Sequence, residues 1–185
     1  MVVKSKKKSL SVYGPGPGAQ VIERHTLSVL VDNEPGVLAR VIGLFSGRGY
    51  NIESLTVAEV SKALNQSRMT IVAVGTPDVI AQIINQLARL VPVHKVTDLT
   101  EEGPHVERDL ALIKMAGTKE KLAEAAKIAE EYEAQVLDST DESYVFQVVD
   151  TPEKVDEFLN LIVPLGMLNI SRTGVAAMSR GKEKF

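Results

Sequence analysis

The chain contains no cysteine and no tryptophan, and its 185 residues include only four phenylalanines and four tyrosines. The missing cysteine excludes a disulfide scaffold, thiolate metal sites and thiol catalysis. It permits a reducing compartment, and a cytoplasmic location is the expectation. No apolar run approaches the roughly 18 residues a bilayer span needs. The lysine-rich start is followed by no long apolar segment of the kind a secretory signal carries. Basic charge on the folded part is also scarce. Residues 1–19 carry +4, residues 20–100 are balanced at 0, and residues 101–185 carry −7. Nucleic-acid binders usually present a basic face on their folded part, so this distribution argues against one.

What is present is enough apolar material, 44% of the chain, for one medium domain or two small ones. Residues 1–19 end in Gly14-Pro15-Gly16-Pro17-Gly18 and read as a flexible basic arm. The prolines remove the amide donors that a phosphate-binding loop would need.

From His25 the pattern turns regular. Leu27, Val29 and Val31 alternate as in a strand, and Asn33-Glu34-Pro35-Gly36 marks a turn. Val37, Leu38, Val41, Ile42, Leu44 and Phe45 follow at helical spacing, stopped by Gly47 and Gly49. Strands are predicted over 52–60 and 69–74, joined by a loop at 61–67. Thr76-Pro77-Asp78 opens a second helix with the stripe Ile80, Ile83, Ile84, Leu87 and Leu90. A fourth strand is predicted over 93–99. Glu101-Glu102-Gly103-Pro104 reads as a linker, after which the order recurs. A strand is predicted over 109–115, a helix over 118–133, strands over 134–138 and 144–149, a helix from Thr151-Pro152-Glu153, and a closing strand over 168–175. The two later helices overlay at an offset of 75 residues, Thr76-Pro77-Asp78 on Thr151-Pro152-Glu153. The fold class predicted is α+β, with two tandem ferredoxin-like βαββαβ domains over 20–100 and 101–185. Each should form a four-stranded antiparallel sheet with both helices on one face, its first and third strands central. The other face stays open, and a partner or a second copy is expected to cover it.

Catalytic chemistry finds no support. There is no Gly-x-Ser-x-Gly elbow, and the acidic clusters Glu130-Glu131 and Asp141-Glu142 read as solvated charges. His25, His94 and His105 stand outside any recognised metal-ligand spacing, so they are expected to be solvated strand-end or loop residues and no metal site is expected. RNA binding on a central sheet would use stacking aromatics, for which only Tyr144 and Phe146 offer themselves, within the acidic half.

The informative segment is the turn before the first helix. Gly36 removes a side chain where helix amides are free, a place that suits a carboxylate. Asn33 can bind a zwitterion or cap the helix, and Asn51 can be a turn residue or a second polar ligand reaching across a subunit boundary.

Several stretches together carry a resemblance: Asn33 to Val41, Gly43-Leu44-Phe45-Ser46, Arg48-Gly49-Tyr50-Asn51-Ile52-Glu53-Ser54-Leu55, Ser67 to Ile71, His105-Val106-Glu107-Arg108, Ser171 to Val175 and Ser179-Arg180-Gly181. They resemble the regulatory small subunit of acetohydroxyacid synthase (acetolactate synthase), whose first half is an ACT domain. The resemblance covers about residues 22–182. It implies a non-catalytic, homodimeric subunit. Its partner would be the catalytic large subunit, which would hold thiamine diphosphate, Mg and FAD; this chain would bind no cofactor. The small subunit would raise the partner's activity and confer feedback inhibition, typically by valine. The implied effector contacts are Asn33, Gly36, Val37 and Leu38 from one chain, with Asn51 and Ile52 from the other. A stand-alone amino-acid sensor of the ACT type, or an RNA-binding ferredoxin-like module, are the alternatives.

Overall fold

The computed structural model describes residues 21–182, so the basic arm at 1–19 lies outside the described residues. The first unit runs β1 (Glu23–Asp32), α1 (Val37–Ser46), β2 (Ile52–Ser61), β3 (Gln66–Gly75), α2 (Pro77–Leu87) and β4 (Val93–Asp98). Its sheet is antiparallel with strand order β2-β3-β1-β4, placing the first and third strands at the centre. Period-two alternation decides the faces. Leu27, Val29 and Val31 of β1 and Met69, Ile71 and Ala73 of β3 point to one side. There they pack with Val41, Leu44 and Phe45 of α1 and Ile80, Ile83 and Leu87 of α2 into a single buried core. Thr76 caps α2 by accepting the Val79 N–H at 3.4 Å, with Pro77 in the first turn.

The second unit repeats the pattern: β5 (His105–Ala116), α4 (Lys119–Glu131), β6 (Gln135–Ser139), β7 (Ser143–Asp150), α5 (Pro152–Gly166) and β8 (Met167–Arg172). Its order is β6-β7-β5-β8. Phe146, Phe158, Ile113, Met115 and Ile162 are fully buried in its core. The α+β architecture of two βαββαβ units is therefore as predicted. Among the described residues no helix is long and apolar enough to cross a membrane.

Three features depart from the sequence expectations. The supposed linker opens with a short helix, α3 (Leu99–Glu102), because Asp98 caps it through the Thr100 N–H at 3.0 Å and Leu99 is buried. β5 starts at His105, earlier than the apolar alternation suggested. The closing strand is split by a turn at Gly174, beyond which β9 (Ala176–Ser179) pairs with His105 to Arg108 of β5. Gly174 has φ 82°, and a Cβ there would stand 2.7 Å from Ser54 Oγ, so a glycine is required for this approach.

That turn decides what covers the first sheet. Ser54, Thr56, Thr70 and Val72 project from the face opposite the helices, in register across β2 and β3. The segment after Gly174 lies on this face. The Val175 N–H donates to Ser54 Oγ at 2.8 Å, and Thr56 Oγ1 donates to the Val175 carbonyl at 2.8 Å. Val175 and Ala177 form a small buried cluster with Val72 and Leu99. The face expected to await a partner is thus partly covered by the chain's own C-terminal segment. An antiparallel extension beyond β8 supplies that cover without a second molecule.

Candidate functional site

The turn between β1 and α1 is laced to its neighbours through main-chain groups. The Asp32 N–H donates to the Pro92 carbonyl at 2.9 Å, and the Asn33 N–H donates to the Asn65 carbonyl at 2.7 Å. Asn65, at the tip of the β2–β3 hairpin with φ 51°, returns a side-chain bond to the Asn33 carbonyl at 3.3 Å. Asp32 also pairs with His94 of β4 at 2.6 Å. The ends of three strands therefore fix where α1 begins.

Gly36 is the N-cap of α1 and takes φ 86°, a left-handed conformation that disfavours any residue with a Cβ. No side chain caps this helix. The capping role open to Asn33 is therefore not taken up, and its side chain is exposed. The first bond to Gly36 is that of the Arg40 N–H at 3.0 Å. Leu38 and Ala39, earlier in the turn, have no intrahelical acceptor for their N–H groups. The caps of α2 and α5 differ, since Thr76 and Thr151 each accept an amide there. Around Gly36 the space is open, with nothing within 4 Å of where a Cβ would stand. Leu38 is 40% exposed and lies beside this terminus, whereas the Val37 side chain is buried in the core, leaving only its main chain toward the turn.

Asn51 and Ile52 lie elsewhere. Ile52 is opposite Ala73, which is opposite His25 at the start of β1, while Asn33 follows the far end of that strand. From His25 to Asp32, the residue before Asn33, seven steps along β1 at about 3.3 Å each cover roughly 23 Å. Asn51 is exposed and Ile52 is half-buried against the core. Within one chain the six candidate residues form two groups at opposite ends of one sheet: Asn33, Gly36, Val37 and Leu38 at one, Asn51 and Ile52 at the other.

Other expectations need correction. His25 is not a solvated strand-end residue: it is 3% exposed, with Nδ1 2.8 Å from Asp98 Oδ2. It shares the inward parity of Leu27, and the alternation simply continues past the apolar run. His105 is the first residue of β5, not part of a linker. Phe146 is fully buried with its ring 6.3 Å from that of Phe158, and Tyr144 packs edge-on against Phe146 at 5.6 Å. Phe146 is not free to stack on a base and Tyr144 is half-buried against the same core, so the RNA-binding alternative loses its platform.

Sequence spacing also missed the polar contact that joins the two sheets and one that braces the second. Arg24 donates two bonds to Glu107, at 3.2 and 2.9 Å, and Thr26 donates a third. Burial works to raise the Glu107 pKa. The Arg24 and Thr26 hydrogen bonds, with the charges of Arg24 and His105, outweigh it and hold the carboxyl below the usual glutamate range. Arg172 bridges buried Asp109, at 2.8 Å from Nε, and exposed Asp156. Partial burial disfavours the Arg172 charge, but the two carboxylates prevail and raise its pKa. Arg24 and Glu107 are 83 residues apart in sequence and Arg172 and Asp109 are 63 apart, so no local pattern announces these pairs.

Comparison with known proteins agrees with this architecture. The family described as the AHAS small subunit-like ACT domain matches residues 27–95, and the small subunit of acetolactate synthase family matches residues 108–181. A probable acetolactate synthase small subunit of Archaeoglobus fulgidus is 42% identical over 161 residues, covering 87% of this chain and 99% of that protein. The Escherichia coli acetolactate synthase isozyme 3 small subunit is 44% identical over 159 residues, covering 85% and 96%. Among solved structures, the acetolactate synthase small subunit of Thermotoga maritima superposes with a TM-score of 0.78 at 36% identity, over 87% of this chain and 99% of that one. With two sheets of the same order and matches across both halves, the chain belongs to the acetolactate synthase small-subunit family.

Proposed function

We propose that this chain is the non-catalytic regulatory subunit of an acetolactate synthase, acting in the cytoplasm. It raises the activity of the catalytic large subunit and makes it sensitive to valine. Thiamine diphosphate, Mg and FAD belong to that partner. Its domains are an ACT domain over 20–100 and a related domain over 101–185. The names of the relatives support a large-subunit partner.

The observation that carries the effector site is the separation of its two halves. The uncapped amides at the start of α1 offer donors to a carboxylate, and the positive end of the helix dipole favours an anion there. Asn33 and Asn51 supply polar contacts to a zwitterion, and Leu38 and Ile52 supply an apolar rim. Burying an isopropyl group against that rim is worth roughly 1.5–3 kcal/mol. Because Asn51 lies about 23 Å from the turn in its own chain, a single site that uses both groups is built from two chains. β2 is an edge strand, paired only with β3 among the described residues. Antiparallel pairing of β2 with its symmetry mate would carry Asn51 of the partner subunit to the end of the sheet where Asn33 sits. Val57 of β2, 42% exposed, gives that edge apolar surface.

Feedback requires valine to bind one state of the assembly better than another, a coupling typically of about 1–3 kcal/mol. The dimer seam is the element that valine would bias, since it touches both chains there. The test is direct. The chain is mixed with the catalytic subunit, and acetolactate formation is measured with and without valine. A several-fold rise in rate that valine reverses is expected. A rate indifferent to the chain would overturn the proposal, because a stand-alone sensor has no such effect.

A further inference from the structure

We infer a divalent-cation site, of the zinc class, at Glu23, His25 and Glu101, where β1 begins and the first unit passes into the second. The ligand atoms of these three side chains lie within 4.8 Å of one another. His25 is 3% exposed, and its Nε2 is buried with no hydrogen-bond partner. A buried imidazole nitrogen that faces two carboxylates and makes a hydrogen bond to neither is costly to leave unused. The other ring nitrogen explains its state. His25 Nδ1 sits 2.8 Å from Asp98 Oδ2, a carboxylate that accepts the Nδ1–H, so Nε2 is the ring nitrogen left to face the cluster and would offer its lone pair to an ion there. This is the carboxylate–imidazole–metal arrangement that orients a ligating histidine and strengthens it as a donor.

Asp98 does this at two points. Its Oδ2 holds His25, and its Oδ1 accepts the Thr100 N–H at 3.0 Å, capping the helix that carries Glu101. One buried carboxylate therefore positions two of the three ligands. The spacing is also close to what the ion needs. Metal–ligand bonds of about 2.1 Å at tetrahedral angles put neighbouring ligand atoms about 3.4 Å apart. His25 Nε2 and Glu23 Oε2 are already 3.5 Å apart. Glu23 and Glu101 are exposed, so closing the remaining distance displaces no packed group, and water can take a fourth position. One imidazole and two carboxylates suit zinc or a similar transition ion better than magnesium, which prefers six oxygens. Sequence spacing gave no hint, because Glu101 comes from 76 positions beyond His25 and only the return of β4 beside β1 brings it in. The ion would clip the start of β1 to α3, and so brace the segment leading into β5.

The full chain, stripped with a chelator and then freed of it, is titrated with zinc chloride near neutral pH by calorimetry. One zinc per chain is expected, with a thermal midpoint that rises with zinc and with a shift of the His25 Nε2 resonance in the 15N spectrum. Magnesium chloride at the same concentration should give neither. Glu101→Gln, an exposed change, should leave the metal-free midpoint unaltered and weaken zinc at least tenfold, as should Glu23→Gln. His94→Gln and His105→Gln should bind as the parent does. Absence of binding, unchanged affinity in both glutamate variants, or loss of binding in either histidine control would each overturn the inference.

Discussion

The roughly 23 Å between the α1 turn and Asn51 sets up a complementation experiment that depends on geometry alone. Two variants are made, each crippled in one half of the proposed effector site. In Gly36→Asp the new carboxylate stands over the amides meant for valine. At 4 Å the charge repulsion is about 1 kcal/mol even at the dielectric of water and about 4 kcal/mol at an effective value of 20. The left-handed φ of 86° adds strain, about 1–2 kcal/mol for a residue with a Cβ. Nothing lies within 4 Å of the new Cβ, so the fold itself is not obstructed. In Asn51→Ala a hydrogen bond to a charged ligand is lost, worth about 1.5–3 kcal/mol, or about ten- to a hundredfold in affinity. Each homodimer should therefore show little or no heat with valine at concentrations that saturate the parent. The two are then co-expressed with different tags, and the doubly tagged species is isolated. In that heterodimer one site carries both lesions and the other carries neither, because each site takes its turn from one chain and its Asn51 from the other. Calorimetry should return one valine per heterodimer at the parental affinity, half the parental stoichiometry. If both groups served a site within one chain, every site in the heterodimer would keep one lesion. A heterodimer that fails to regain parental affinity would refute the two-chain site.

Four further outcomes follow from the contacts described. Glu107, held below the ordinary glutamate range, contributes stability above its unfolded-state titration and loses it as pH falls through the lower folded value. Urea midpoints should therefore drop below about pH 4.5 in the parent, and Glu107→Gln should flatten that acid limb. Arg172→Ala leaves the Asp109 carboxylate, 2% exposed, without its guanidinium, and should cost about 3–5 kcal/mol by denaturant unfolding at neutral pH. Phe158→Ala empties a fully buried position between Tyr132 and Phe146, and about 3–5 kcal/mol should be lost, lowering the calorimetric midpoint by about 10 °C. Gly174→Ala puts a methyl group 2.7 Å from Ser54 Oγ at φ 82°, so the Val175 amide should exchange faster with deuterium while the β5 and β7 amides stay protected.

The two-sheet plan could be read from the chain because its signals are local. Alternation in Leu27, Val29 and Val31, the Thr-Pro-acid starts of α2 and α5, and the apolar stripes of both helices each specify an element without reference to the rest. Strand order then follows from handedness. The C-terminal split did not announce itself, because β9 has only four residues and is held by partners 68 to 74 positions earlier. The same holds for α3, whose cap and buried leucine stabilise it against a sequence that reads as a break. The candidate site was legible as a set of residues but not as a place. Gly36 stood out because a turn before a helix signals its backbone need locally. That Asn51 lies at the other end of the sheet is a matter of register, which only pairing reveals.

Register also explains how one strand can serve two ends of the molecule. β1 is central, paired with β3 along its whole length and with β4 from Leu27 to Val31, so it behaves as a stiff beam. Its last residue, Asp32, is tied to Pro92 and His94 beside the proposed effector turn. Its early residues, Arg24 and Thr26, hold Glu107 at the start of the second sheet. A shift of the α1 turn would therefore be carried to Glu107 through paired backbone rather than through a loop. Displacing the strand there would break charge-assisted bonds, which are among the stronger polar contacts joining the two units. A rigid element can carry coupling between distant sites where it has two discrete arrangements that both sites bias. In this chain the strand that ends at the proposed effector turn begins at the clasp between the sheets.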